Sequence, residues 1–301
     1  MDHKHRSTAE RQTDAAPSLV ERAAERLQAG YAGAAATPGA KGGRAERPSP
    51  GNRAPASERV TIDTKWLAAN GYLTPKSMRA HLAEEMRLIK RSILRAFWRR
   101  SVERSNLVMV TSAWPEEGKS FVALNLAISM ACEMDLHVML IDADVERPMI
   151  LNRLGIKQER GLIDVLKDPE MDLSDVILRT DIPRLSVIGP GSAHDMSPEL
   201  LNSQRMQSLV TELAERYPDR IVLFDTPPVL ASAGPSILAQ WVGQALFVIE
   251  SEGTQRSAID QAIESLPETC EVSLLLNKAT GRHGASQIPY YAYRTYHKDS
   301  G

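Results

Sequence analysis

Cysteine is scarce in this 301-residue chain, which has only Cys132 and Cys270, and their separation fits no metal-ligand spacing. A structural zinc site needs several cysteine or histidine ligands at short spacing, so none is expected here. Both residues fall in predicted core elements, where a free thiol packs as a small hydrophobic side chain. We therefore expect two buried thiols in a reducing compartment.

Long apolar runs, a strong net charge and fixed-period repeats are missing as well. No stretch approaches the ~18–20 apolar residues that span a bilayer, and the first residues, MDHKHRSTAERQTD, are too polar for a signal peptide. The formal net charge of -2 gives no bulk attraction to nucleic acid. These absences predict a cytoplasmic protein with no nucleic-acid partner, which would reach a membrane only by docking.

The chain does contain a phosphate-loop pattern, since Thr111 to Ser120 reads TSAWPEEGKS. The loop follows a strand-like apolar run and precedes a helical pattern, which is the layout of a phosphate-binding loop. Gly118 would let the backbone approach an anion, and the helix start would favour phosphate there. Lys119 would reach the outer phosphates, and the Ser120 hydroxyl would bind Mg²⁺. The residues predicted to bind ATP through this loop are Pro115, Glu116, Glu117, Gly118, Lys119, Ser120 and Phe121.

Three acidic residues stand at or just after the ends of apolar strand patterns. Asp142 and Asp144 follow VMLI, and Asp225 follows IVLF. The carboxyl ends of parallel strands are where open α/β sheets bind ligands. One aspartate after a strand is often only a helix cap or turn former, but three of them with a Gly-Lys-Ser loop indicate a site. Phosphoryl transfer needs a carboxylate and a hydroxyl for Mg²⁺ and an acceptor for the nucleophile's proton, and this set supplies both.

From Leu107 onward, strand and helix patterns alternate. Such alternation predicts an α/β fold with a mostly parallel sheet covered by helices on both faces. Strands are predicted near 107–112, 137–142, 184–188, 220–225, 244–250 and 271–277. Helices are predicted near 119–133, 161–167, 197–216, 235–241 and 256–265.

The two ends of the chain differ from this core. Residues 1–60 are rich in Ala, Gly, Pro and charge, and we expect a mostly disordered arm with a short helix near 18–29. The domain would cover 61–284. Its lead-in helix, 77–100, has a basic face that could be solvated, bind another subunit or meet anionic lipid. Residues 285–301 form a tail with four tyrosines, which could be phosphoacceptors or could fold back on the domain surface: Tyr290, Tyr291, Tyr293 and Tyr296.

Taken together, the phosphate loop, the Asp-x-Asp strand end, the Asp-Thr-Pro-Pro strand end and the tyrosine-rich terminus resemble the bacterial tyrosine kinases of polysaccharide export. The segments IDTKWLAANGYLTP, EEMRLIKR and SPELLNSQRM resemble the exosortase-associated tyrosine autokinases within that family. The resemblance covers about residue 60 to the end and, weakly, Ser18 to Leu27. It implies a P-loop NTPase fold and an ATP- and Mg²⁺-dependent protein-tyrosine autokinase, unrelated to eukaryotic protein kinases, that regulates exopolysaccharide synthesis, export and chain length.

The resemblance also implies roles for individual residues. Lys119 and Ser120 would hold the phosphates and Mg²⁺, and Asp142 would take the tyrosine proton. Asp144 and Asp225 would hold Mg²⁺, partly through water. One further ATP-binding residue and a self-association motif are implied: Asn277, which would read the base, and Glu84, Arg87 and Lys90.

The implied partners follow from the same family. Such kinases form rings in which the tyrosine tail of each subunit enters the site of its neighbour. A membrane-spanning chain-length regulator activates them and recruits them to the inner membrane, and a cognate phosphatase opposes them.

Two departures from the family pattern affect the expected activity. Glu116 stands where the family loop has glycine, and a carboxylate about 6 Å from a phosphate would cost roughly 2–3 kcal/mol at an effective dielectric of about 20 unless it points outward. A non-glycine residue is also strained there if the loop needs a positive φ. Glu146 stands where an arginine is common, and Arg147 could substitute for it. We expect a working kinase whose ATP affinity Glu116 could reduce.

Two other functions stay open at this point. The first is a partition or positioning ATPase, but those proteins carry a signature lysine early in the loop, where this chain has Trp114, and they lack a terminal tyrosine cluster. The second is a nucleotide-sensing scaffold with weak activity, which Glu116 would favour.

Overall fold

The computed structural model describes residues 59–78, 81–100, 102–192, 197–216 and 219–279. Residues 1–58 of the predicted arm, its helix near 18–29, the tail and its four tyrosines lie outside these ranges, whereas the last two residues of the predicted arm form a short strand. The strands are β1 (Arg59–Val60), β2 (Leu107–Ser112), β3 (His137–Asp142), β4 (Leu178–Thr180), β5 (Leu185–Ile188), β6 (Arg220–Asp225), β7 (Gln244–Glu250) and β8 (Glu271–Asn277). The helices are α1 (Thr64–Ala69), α2 (His81–Arg99), α3 (Lys119–Ala131), α4 (Ile150–Leu154), α5 (Leu162–Lys167), α6 (Ser197–Leu201), α7 (Gln204–Arg216), α8 (Gly234–Leu238) and α9 (Arg256–Glu264), with a 3-10 turn at Leu173–Asp175.

The eight strands of the described ranges form one sheet in the order β1-β4-β5-β3-β6-β2-β7-β8. The pairs are parallel except for β4 with β5, which is antiparallel. A mostly parallel sheet is therefore confirmed. Its register sets Asp142 opposite Asp225 on neighbouring strands, so the acids predicted from separate parts of the chain meet at one edge of the sheet.

The hydrophobic core lies in two layers, one on each face of the sheet. One layer is built from the sheet with α5, α7, α8 and α9, and the other from the sheet with α1, α2, α3 and α4. Helix α3, which follows the phosphate loop, is buried along almost its whole circumference. A helix that is buried on all sides belongs in a protein interior, and this burial fixes the loop that precedes it.

Several local predictions are corrected. The helix predicted over 197–216 is two helices, because the Ser203 hydroxyl donates to the Leu200 carbonyl and accepts from the Met206 amide, which ends one helix and caps the next. The sequence patterns did not predict β1, β4, α1 or α4. Cys132 is exposed rather than buried, since it follows the end of α3, whereas Cys270 is buried as expected. Burial raises the pKa of Cys270 to about 12.

None of the helices in the described ranges is both long enough and apolar enough to cross a membrane.

Candidate nucleotide-binding site

The phosphate loop joins β2 to α3 and contains two residues with left-handed backbone. Glu116 has φ 69° and Gly118 has φ 97°. Glycine is favoured at 118 because of this positive φ, and a Cβ atom there would also displace the side-chain amide of Asn277. Glu116 has the positive φ that disfavours side chains, although its side chain is exposed. The strain anticipated at this position is therefore present.

The buried side chain of Glu117 holds the loop in place by hydrogen bonds. It is 2% exposed, and its Oε2 accepts a hydrogen bond from the Trp114 amide at 2.8 Å. Its Oε1 accepts from the Thr254 hydroxyl on the segment after β7, and its carbonyl accepts from Asn277 Nδ2 at 2.8 Å. The loop is thus tied to the carboxyl ends of β7 and β8. Asn277 lies beside the loop, where its side-chain amide donates to the Glu117 carbonyl, and its role in reading the base stays a prediction.

The lysine and the acids gather at the same strand ends. Lys119 Nζ donates to Asp144 Oδ2 at 2.7 Å, and both side chains are buried. Asp142 is 0% exposed, and its Oδ2 accepts from the Met149 and Ile150 amides at 3.1 and 3.0 Å. It thereby anchors the start of α4. The structure brings together Lys119, Ser120, Asp142, Asp144, Asp225 and Asn277.

Asp225 is the least satisfied group in the site. It is 0% exposed, and within the described ranges neither carboxylate oxygen has a hydrogen bond of normal geometry. Burial raises its pKa to about 6, while the Lys119 charge and the nearby Ser120 hydroxyl oppose that rise. Burial raises the pKa of Asp142 to about 8, and the neighbouring Asp225 carboxylate adds to the effect.

This donor set fits Mg²⁺ bound together with phosphate. Buried polar atoms without partners are rare and call for an explanation, and the two oxygens of Asp225 beside the Ser120 hydroxyl are the hard oxygen donors that Mg²⁺ takes. In the described part of the chain, no group of three or more His, Cys, Asp or Glu residues is arranged to hold a metal by itself. Since Mg²⁺ in nucleotide sites is held by one or two protein groups plus phosphates and water, Ser120 and Asp225 are sufficient.

Four further side chains lie beside the loop, and only one of them, Phe121, was predicted from the sequence. The Tyr72 ring lies 4.8 Å from that of Phe121 and stacks on Trp66 at 5.9 Å. The Arg153 guanidinium lies 5.5 Å from the centre of the Tyr72 ring. The segment IDTKWLAANGYLTP, noted for its resemblance, therefore covers the start of α3.

The three self-association residues lie on α2, and they differ in what they contact. Arg87 pairs with Glu84 and also donates to the Met78 carbonyl. Lys90 is 5% exposed, and its Nζ binds the Ser129 carbonyl and the Glu133 carboxylate at the end of α3. Lys90 therefore serves contacts within the subunit, and the self-association role of this motif stays a prediction.

Fold and site together define a P-loop nucleotide-binding α/β protein with the acids required for phosphoryl transfer. No profile of a known protein family matches the chain. The tyrosine-protein kinase YwqD of Bacillus subtilis is 33% identical over 222 residues, which cover 73% of this chain and 89% of that protein. The chain therefore belongs to the family of bacterial tyrosine-protein kinases.

Other relatives share only part of their length with the chain. The tyrosine-protein kinase ptk of Acinetobacter johnsonii is 34% identical over 160 residues, which cover 53% of this chain and 21% of that protein. The chain thus spans about a fifth of that relative.

Solved structures agree with the family. The kinase domain of the Escherichia coli tyrosine kinase ETK is 25% identical with a TM-score of 0.58, covering 75% of this chain and 93% of that domain. The BceF tyrosine kinase domain is 27% identical with a TM-score of 0.55, covering 68% of this chain and 81% of that domain. The predicted fold class, family and enzyme class are confirmed.

Proposed function

We propose that this chain transfers the γ-phosphate of MgATP to tyrosines in the C-terminal tail of another copy of itself. The acceptors would be Tyr290, Tyr291, Tyr293 and Tyr296. The observation that carries the proposal is that the phosphate loop and three buried acids at the ends of two neighbouring strands meet at one sheet edge. Membership in the tyrosine-kinase family supports the choice of tyrosine as acceptor.

Lys119 would exchange its partner when nucleotide binds. It is paired with Asp144 at 2.7 Å, and phosphate oxygens carry more charge than one carboxylate. Moving the ammonium to the phosphates would place positive charge where negative charge develops in the transition state. Bound Mg²⁺ supplies further neutralisation of the phosphate charge. Asp144, released from Lys119, would then be free to bind water around the metal.

Asp142 would accept the proton of the tyrosine phenol, whose pKa is near 10 in water. Its pKa is raised to about 8 by burial and by the Asp225 charge, so its ionised fraction increases with pH in the neutral range. Its Oδ2 already accepts the Met149 and Ile150 amides, so the proton would go to Oδ1, which accepts the longer 3.3 Å bond from the Asp144 amide. Its closeness to Asp225 on the neighbouring strand supports this role.

Incubation with labelled ATP tests the reaction. Label on tyrosine in the C-terminal peptide, located by mass spectrometry, is the expected result, and Lys119→Met should abolish it. Free phosphate without phosphotyrosine would indicate an ATPase instead, and binding without turnover would indicate a scaffold.

Transfer between copies is tested by mixing two variants. One carries Lys119→Met with an intact tail, and the other carries a working site with its four tail tyrosines changed to phenylalanine. Labelled tail on the Lys119→Met copy supports transfer between subunits. Label confined to wild-type controls would contradict it.

The proposed regulation follows from charge. Each phosphotyrosine adds about -1.5 to -2 charge, which would weaken docking of the tail beside an acidic, ATP-filled site and loosen a ring of subunits. In this proposal a membrane-spanning chain-length regulator recruits and activates the kinase, and a phosphatase removes the phosphate groups. The balance of the two reactions would regulate exopolysaccharide synthesis, export and chain length. If fully phosphorylated and unphosphorylated samples ran as the same oligomer in sedimentation, the loosening step would be wrong.

A further inference from the structure

Arg153 on α4 carries a positive charge that forms no ion pair with any described residue. It is half-buried, and it takes part in no ion pair within the described ranges. Its Nη1 atom is buried without a hydrogen-bond partner there. Its guanidinium carbon lies 5.5 Å from the centre of the Tyr72 ring. Such stacking holds the flat guanidinium in one orientation.

Arg153 and Asp225 lie near the same space beside the loop. Helix α4 packs in the layer built around α3, on the same side of the sheet as that helix, and its start is held by Asp142, which lies opposite Asp225 on the neighbouring strand. The two residues form no direct ion pair, although within the described ranges each has a buried atom without a partner. A buried donor and two buried acceptors that have no hydrogen-bond partners lower the stability of the folded protein. A ligand that offers anionic oxygens to one and a metal to the other would satisfy both.

The neighbouring sequence makes a second cation useful. Glu146 places a carboxylate close to the strand end, on the wall of an adjoining pocket. Arg147 was expected to compensate for it, but its side chain is exposed, and the hydrogen bond it makes runs from its backbone amide to Asp144 Oδ1 at 3.1 Å. Arg153 is the better placed of the two, because it is held against Tyr72 beside the loop.

We propose that Arg153 binds phosphate oxygens of the nucleotide, as a second cation beside Lys119. The proposal rests on the proposed MgATP site. Tyr72 positions the guanidinium and in turn packs on Phe121, the residue after Ser120. The segment 62–74, which contains Tyr72, therefore takes part in the site through this stack, although it is distant from the loop in the sequence.

The test measures nucleotide affinity by calorimetry in the full chain with Arg153→Met. Arg147→Met is the matched control, because it removes the same charge from an exposed side chain on the same stretch, whereas the Arg153 guanidinium is stacked on Tyr72 beside the loop. Arg153→Met is expected to weaken MgATP binding at least tenfold, and Arg147→Met less than twofold. Equal losses in the two variants would mean a general charge effect and would overturn the proposal.

A second arm repeats the titrations with ATP in EDTA. Direct contact with phosphate predicts the same fold loss for Arg153→Met with and without Mg²⁺. A loss seen only with Mg²⁺ would mean that Arg153 acts through Asp225, and it would overturn the proposal. Arg153→Lys keeps the charge without the flat donor fork, and it should recover part of the affinity.

The outcomes also separate this proposal from the function on which it rests. If Lys119→Met abolishes binding while Arg153→Met binds like the wild type, the site stands and the Arg153 proposal fails. If neither variant loses affinity, both fail. Should Arg153→Met not fold by circular dichroism, Arg153→Gln takes its place, and a loss below threefold in that folded variant overturns the proposal.

Discussion

Asp225→Asn should stabilise the nucleotide-free protein even though it removes a residue that the proposed reaction needs. The Asp225 carboxylate is 0% exposed, and within the described ranges its oxygens have no hydrogen bond of normal geometry. Burial raises its pKa from 3.8 to about 6. At about 1.36 kcal/mol per pKa unit, keeping this group ionised at pH 8 costs up to about 3 kcal/mol of folding free energy. Asparagine has nearly the same shape and carries no charge.

The sign of the pH dependence follows from where the proton binds more tightly. The native state holds the Asp225 proton more tightly than the unfolded chain, so wild-type stability falls as pH rises from about 4 to above 6. The asparagine variant lacks this loss. Its advantage should be complete at pH 8 and should shrink toward zero near pH 4.

Thermal unfolding in EDTA at pH 8 and pH 5 measures the effect. For a domain of this size each kcal/mol moves Tm by roughly 2–4 °C, so we expect Asp225→Asn to unfold up to about 10 °C higher at pH 8 and to gain clearly less at pH 5. Asp135→Asn is the control, because it removes the same carboxylate charge from an exposed side chain and should leave Tm nearly unchanged at both pH values. No gain at pH 8, or an equal gain at both pH values, would refute the reasoning.

Three other predictions concern the loop, the proton acceptor and helix α2. Glu116→Gly removes the strain of a side chain at φ 69° and should raise the free energy of unfolding, measured in urea, by about 1 kcal/mol. Because the Glu116 side chain is exposed, the affinity for MgATP should change less than threefold. A larger gain in affinity would mean that the carboxylate acts on the phosphates. Since the pKa of Asp142 is raised to about 8, the single-turnover rate of tyrosine phosphorylation should rise with pH and level off above 8, and a flat profile from pH 6.5 to 8.5 would exclude Asp142 as proton acceptor. Lys90→Met breaks the pair with Glu133 and should lower the free energy of unfolding by about 1 kcal/mol without changing the oligomer in sedimentation, whereas a dissociated oligomer would place Lys90 at the subunit interface.

The parts of the fold that were predictable are those with a local cause. The six longer strands were placed within a residue or so, because each is an apolar run bounded by polar residues, and the site acids were found because they stand at the ends of such runs. Helix α4 was missed because its start depends on Asp142 accepting the Met149 and Ile150 amides. Arg153 and Thr254 were missed because their contacts with Tyr72 and Glu117 join distant parts of the chain. No spacing in the sequence encodes such pairs.

Asp144 has a role in the nucleotide-free site that explains why Asp225 is left unsatisfied. Lys119 carries the charge that most opposes the rise in the pKa of Asp225, so without a competitor it would be drawn to that buried carboxylate. Its ammonium instead donates to Asp144 at 2.7 Å, and this pairing keeps Lys119 from occupying the Asp225 oxygens that would bind the metal. The free energy stored in the unpaired Asp225 becomes available when the metal binds, because ligands that bind only the native state stabilise it. Asp144→Asn should therefore weaken Mg²⁺ binding in the absence of nucleotide, even though the Asp225 carboxylate is unchanged.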